Sequence, residues 1–359
     1  MKKVRLGLVI MGALLLVTGC QADEKKEAEG STSEIKTEER AADSTTDGTS
    51  GASEATTLSV PAGTLAIRQL YTAPHGDKSF AVTTVVMDGD KILLAEMDEF
   101  QYLNKAEFEG VPNSDGGFGE NYPEGLVLSS KLVNDQAYSE MMKEKGQATK
   151  KYSESMSAIM NHVKGKTISE LEKLVETDPV TDVITGATFA DANGYLQAVI
   201  DTAKNGYGLA GLKNDDTELT LSQVYGAPHG DKSFSVTSIA KAGDKIAAVY
   251  TDEFQFLEAG DVLGVPNADG GFGENFAKGT VLVSKMTNNP AYSKMMTEMG
   301  KATQEYAESM TAILEYATGK TVKEIEEDLK ANEEMTDVVT GATFSDTTGY
   351  VKGIVEAAK

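Results

Sequence analysis

The chain has 359 residues, a formal net charge of −23 and an isoelectric point near 4.6. That balance excludes a nucleic-acid binder, whose affinity rests on Lys and Arg at phosphates, and adhesion to anionic lipid by charge alone. A single cysteine excludes disulfides, thiolate metal sites and c-type haem attachment, and three histidines without ligand spacing make no haem or zinc site.

Met-Lys-Lys-Val-Arg opens the chain, and an apolar run from Leu6 to Val17 follows. A basic start and a short apolar stretch read as a signal peptide over 1–19, too short to span a bilayer as a finished helix. It ends in Val17-Thr18-Gly19-Cys20, which resembles the lipobox of bacterial lipoproteins, so that Cys20 is expected to carry lipid. Residues 20–57 are Ser, Thr, Glu, Asp, Lys, Ala and Gly with almost no large apolar side chain. Such a segment cannot offset its ordering entropy by burial and is expected to be a disordered tether, with a mean span of about 30–35 Å as a flexible coil.

A long internal repeat follows. Ala73-Pro-His-Gly-Asp-Lys-Ser-Phe80 returns as Ala227-Pro-His-Gly-Asp-Lys-Ser-Phe234, and Asp98-Glu-Phe-Gln101 as Asp252-Glu-Phe-Gln255. Asp115-Gly-Gly-Phe-Gly-Glu-Asn121 returns as Asp269-Gly-Gly-Phe-Gly-Glu-Asn275. The period is too long for a solenoid and suits tandem copies of one globular domain. The expected organisation is one copy over 58–205, a short linker over 206–217 and a second copy over 218–359.

Within the first copy the pattern is α+β, an antiparallel sheet packed with helices. Leu65–Tyr71, Ser79–Met87 and Ile92–Tyr102 read as strands, the last two joined by the hairpin signal Asp88-Gly-Asp90. Residues 104–124 form a Gly/Pro/Asn-rich loop, and Leu126–Leu132 a further strand. Apolar residues at helical spacing predict one long helix over 137–163, closed by Gly165. Its Met and Tyr stripe reads as core. Thr167-Ile-Ser-Glu170 is a capping box that starts a short helix, repeated at Thr321-Val-Lys-Glu324. A last helix is expected from Phe189 to Ala203.

Just before that last helix stands Asp182-Val-Ile-Thr-Gly-Ala-Thr188, repeated as Asp337-Val-Val-Thr-Gly-Ala-Thr343. Gly186 and Gly341 permit a sharp turn, and the threonine then falls near a helix N-terminus, where free amides and the dipole favour an anion. From the residues alone two readings stand. In one the threonine is an ordinary N-cap; in the other it carries a phosphodiester whose negative charge the helix stabilises.

The two stretches resemble the Asp-x-x-Ser/Thr-Gly-Ala-Thr flavinylation motif of FMN-binding domains such as those of the NqrC and RnfG subunits of sodium-pumping and related complexes. The resemblance implies FMN joined by phosphoester to Thr188 and Thr343, with Asp182, Gly186, Ala187, Asp337, Gly341 and Ala342 as motif positions. It also implies an ApbE-type flavin transferase that makes the bond. The whole arrangement is similar to the surface flavolipoproteins of extracellular electron transfer in Gram-positive bacteria. Expected partners are therefore a membrane quinone pool reduced by an NADH dehydrogenase, and ferric iron or soluble flavin outside the cell. A threonine hydroxyl is a poor nucleophile without a base, and no histidine lies near either threonine in sequence, which favours modification by a separate enzyme. The rivals are a binding lipoprotein without a redox group and an extracellular flavin-dependent reductase.

The loops at 115–121 and 269–275 are the next candidates. Their glycines let backbone amides approach a ring edge, and Phe118 and Phe272 can stack on it; the alternative is an irregular loop without ligand. As calcium loops they fail, because with Asn113 and Asp115 as first and third ligands Phe118 stands where an EF-hand needs glycine. His75, His229 and His162 read as surface residues. Asp98, Glu99, Asp252 and Glu253 read as solvated charge at strand ends.

Overall fold

A computed structural model describes residues 58–359 apart from 147, 178–180, 182 and 301. The leader, Cys20, the 20–57 tether and Asp182 lie outside the described residues. Among those described, the protein is α+β, with two antiparallel sheets and eight α-helices. No described helix is long and apolar enough to cross a membrane.

In the first half, strands β1 (Thr64–Thr72), β2 (Ser79–Asp88), β3 (Lys91–Asn104) and β4 (Leu126–Ser130) form a meander. Helices α1 (Asp135–Gly146), α2 (Tyr152–Val163), α3 (Ile168–Val175) and α4 (Ala192–Asn205) follow. The second half repeats the order: β6 (Leu219–Gly226), β7 (Ser233–Ala242), β8 (Lys245–Glu258) and β9 (Thr280–Ser284), then α5 (Asn289–Gly300), α6 (Tyr306–Ala317), α7 (Val322–Ala331) and α8 (Thr347–Ala358). Both capping boxes form: Thr167 and Glu170, and Thr321 and Glu324, exchange bonds at the starts of α3 and α7.

The expected long helix is two helices. α1 ends at Gly146, and α2 begins at Tyr152 after an extended Lys151. The free amides of the new N-terminus are taken by α1, Tyr152 N donating to Ser139 Oγ (2.9 Å) and Ser153 N to Asp135 Oδ1 (2.8 Å). The second half does the same, with Ser293 and Asn289 receiving Tyr306 N and Ala307 N. Periodicity continues across the break because both helices lay a face on the same core, so it could not reveal the corner.

The expected linker is not free chain either. Strand β5 (Tyr207–Lys213) pairs antiparallel with β1, from Gln69 opposite Tyr207 to Thr64 opposite Lys213. The first sheet therefore runs β4-β3-β2-β1-β5 and the second β6-β7-β8-β9.

Alternation along β2 and β3 sends side chains to two buried faces. Ala81, Val85, Met87 and Met97 meet the helices. Phe80, Val82, Phe100 and Tyr102 meet Phe234, Val236, Phe254 and Phe256 of the second half. Phe80 and Phe100 stack at 5.2 Å, Phe234 and Phe254 at 5.1 Å, and the two pairs touch at 5.5–5.6 Å between centroids. The halves thus share one aromatic core.

The glycine-rich loops serve this junction, which corrects the expectation that Phe118 and Phe272 stack on a bound ring. Both are fully buried, Phe118 against Phe234 and Phe256, and Phe272 against Phe80 and Tyr102. Phe118 N donates to Asp231 O (2.8 Å), and Asn113 Nδ2 donates to Gly230 O and Ser233 O. The mirror set is Phe272 N to Asp77 O (2.7 Å), with Asn267 Nδ2 to Gly76 O and Ser79 O. Each loop clasps the Pro-His-Gly-Asp-Lys segment of the other half.

Asp98, Glu99, Asp252 and Glu253 are not solvated strand-end charges; all four are fully buried. Asp98 faces the junction. Its Oδ2 accepts from Ser130 and from Tyr225 Oη of the other half (2.6 Å), and its Oδ1 from the amides of Leu132 and Glu99. Burial pushes the Asp98 carboxyl up to about 6 against the pull of those four donors. Asp252 repeats the arrangement with Ser284 and Tyr71 Oη (2.5 Å), and is likewise pushed up to about 6. Glu99 and Glu253, on the opposite face, turn to the helices.

Candidate site at the paired threonines

The two Thr-Gly-Ala-Thr stretches are tight turns. Ala187 N donates to Ile184 O and Ala342 N to Val339 O, both at 3.1 Å. Gly186 and Gly341 take φ of 102° and 95°, a region that strains any side chain, and a Cβ there would press on Ala158 or Ala312. Ala187 and Ala342 are buried plugs. Asp337 lies exposed at the end of a one-turn 3-10 helix, Met335–Asp337.

Neither threonine caps a helix. The N-cap positions are Asp191 for α4 and Asp346 for α8, three residues further on. Thr188 and Thr343 are exposed. Among the described residues their hydroxyls meet only a serine on the neighbouring helix, Thr188 Oγ1 at 3.0 Å from Ser155 Oγ and Thr343 Oγ1 at 3.1 Å from Ser309 Oγ. The capping account of the threonine is thereby removed.

Each threonine opens on a cavity. The first, about 350 Å³, is walled by Tyr138, Tyr152, Phe189 and Tyr195, with His75 and Asp191 at the rim and Lys131 at the floor. The second, about 580 Å³, has Tyr292, Tyr306, Phe344 and Tyr350, with His229 and Asp346. The rings run in series in both halves. Tyr152–Phe189 and Tyr306–Phe344 are 5.5 Å apart and tilted by 37° and 31°. Sequence periodicity identified Tyr138 and Tyr152 only as core; they are core residues whose other edge faces the cavity.

Below the rings lies a buried ion pair. Glu99 Oε2 accepts from Lys131 Nζ (2.9 Å), Tyr195 Oη (2.8 Å) and Tyr152 Oη (3.2 Å), and Oε1 from Ser79 Oγ. Burial alone would lower the Lys131 pKa, but Glu99 and Tyr138 outweigh it and hold the ammonium above its ordinary value. In the second half Glu253 accepts from Lys285 (2.5 Å) and Tyr350 (2.6 Å), whereas the buried Tyr306 Oη has no partner among the described residues.

His75 and His229, read as surface residues, are also site members, each paired with the aspartate at the helix start. His75 Nδ1 lies 2.6 Å from Asp191 Oδ2, and His229 Nδ1 2.7 Å from Asp346 Oδ2. The histidine is far from the threonine in sequence and beside it in space. Gly194 and Gly349 make this possible, since a Cβ on either would sit 2.4 or 2.3 Å from the carbonyl oxygen of Pro74 or Pro228. The Gly-Tyr pair that follows each motif was the signal, readable only once the helix is known to close on that loop. A carboxylate on Nδ1 leaves Nε2 available for proton exchange at the cavity rim. Phe118 and Phe272 contribute to neither cavity.

No protein-family model matches the sequence, and neither a curated protein nor a solved structure shows significant similarity to it.

Proposed function

We propose that the protein is a surface-anchored electron carrier with two FMN-binding halves. FMN is held by phosphoester on Thr188 and Thr343, and lipid on Cys20. The observation that carries this reading is the pair of exposed threonine hydroxyls that cap nothing, each at the mouth of an aromatic-walled cavity. A planar tricyclic ring needs apolar walls and a few polar groups, and cavities of a few hundred Å³ so lined are the ordinary form of a cofactor site.

Bound FMN supplies interconversion between two-electron and one-electron redox partners. The chain supplies the rest. Thr188 and Thr343 fix the phosphate end, and the turn glycines let it pass close to the backbone. Tyr152 and Phe189, with Tyr306 and Phe344, exclude water from the ring faces. His75 and His229, oriented by Asp191 and Asp346, can hold or release a proton at Nε2. Electrons would come from a quinone pool served by an NADH dehydrogenase and leave to ferric iron, soluble flavin or a similar extracellular acceptor. An ApbE-type transferase would load the two threonines.

The test is intact mass after co-expression with such a transferase. Two flavin adducts are expected on the parent, one on Thr188→Ala or Thr343→Ala, and none on the double variant. Adduct counts unchanged by both substitutions would remove the assignment. The larger second cavity favours one alternative, a reductase with room for its own substrate beside the ring; a substrate-saturable turnover lost on Thr343→Ala would select it.

A further inference from the structure

The repeat gives every site residue an internal counterpart, and the two cavities differ in charge where they otherwise match. Lys131 and Lys285 do not separate the sites, since both are buried and each is paired with a glutamate. Lys150 Nζ stands 3.5 Å from where a Cβ on Gly186 would lie, over the turn that presents Thr188. Its counterpart is the uncharged Gln304. Met299, which lines the second cavity and is 75% exposed, occupies the place that Lys145 holds in the first half. Met295 and Met296 repeat Met141 and Met142 and do not distinguish the halves.

From these differences we propose that the two sites are tuned apart, the Thr188 site holding electrons more tightly than the Thr343 site. This rests on both threonines carrying a redox group, as argued above. Reduction adds negative charge to such a group. An ammonium beside the group stabilises that charge, and an uncharged amide or thioether in its place does not. At equilibrium two electrons and one proton pass from the Thr343 site to the Thr188 site. One site is oxidised, the other is reduced, and nothing else is consumed. The molecule would then be an ordered pair, with electrons resting at equilibrium in its first half.

The experiment is spectroelectrochemical titration of the single-site variants Thr343→Ala and Thr188→Ala, each loaded and checked by intact mass. The expected result is a higher midpoint potential for the Thr188 site, with electrons favouring it at least tenfold, about 30 mV for a two-electron couple. In Thr188→Ala, the further changes Met299→Lys and Gln304→Lys should raise the remaining site toward the first. Equal or reversed potentials overturn the proposal, and a gap unmoved by the lysines overturns their part in it. Loss of the flavin adduct itself would instead strike the reading of Thr188 and Thr343 on which the proposal stands.

Discussion

Tyr225→Phe tests the junction between the halves with few other changes. The hydroxyl donates to Asp98 Oδ2 at 2.6 Å across the shared core. Asp98 is fully buried, and its carboxyl is pushed from an ordinary 3.8 to about 6, chiefly by desolvation. Because the folded state holds that proton more tightly than the unfolded chain, the stability linked to it is complete below pH 3.8 and lost as pH rises through about 6. The gap corresponds to roughly 3 kcal/mol for this one group. Removing the tyrosine hydroxyl removes a donor to the ionised form, so the cost falls where Asp98 is ionised: about 1.5–3 kcal/mol for a hydrogen bond to charge. Urea unfolding of parent and variant at pH 7.5 and pH 4.5 reads this directly, since other titrating groups cancel in the difference. The loss should be clearly larger at pH 7.5. An equal loss at both pH values, or a larger one at pH 4.5, would refute the account of Asp98.

Other outcomes follow from the same packing. Phe118→Ala and Phe272→Ala should each cost about 3–5 kcal/mol, within a single calorimetric transition; two separated transitions would contradict a shared core. Lys131→Met leaves Glu99 buried beside only hydroxyl donors and should cost about 3–5 kcal/mol in denaturant unfolding. Gly194→Ala puts a Cβ against Pro74 O and should cost about 1–3 kcal/mol; an unchanged urea midpoint would show that the loop yields freely. It should also weaken the His75–Asp191 contact, read as a change in the His75 imidazole chemical shifts by NMR.

Local features were legible in the sequence because local chemistry sets them. The hairpin at Asp88-Gly-Asp90, the two capping boxes and the strand runs all appear where spacing and turn residues put them. What the repeat could not convey was that its copies pack against each other. Phe118 looked like a ring offered to a ligand from a glycine-rich loop, and Asp98 and Glu99 like solvated charge. Yet Asp98 and Glu99 sit between Met97 and Phe100 on a strand apolar on both faces, and that pattern signals burial on two sides. Thr188 looked like a cap because a helix follows, but the cap is Asp191, and three residues decide whether the hydroxyl is occupied or offered.

The reciprocal clasp has a consequence for how such a chain can be divided. Asn267 holds the segment that presents His75, and Asn113 the segment that presents His229. Each half therefore braces the loop that carries the other's histidine, along a surface that matches itself under a two-fold rotation. That is the geometry of an isologous homodimer written into one polypeptide. A liberated half would expose its phenylalanine face and could regain nearly the same contacts only by meeting a second copy of itself.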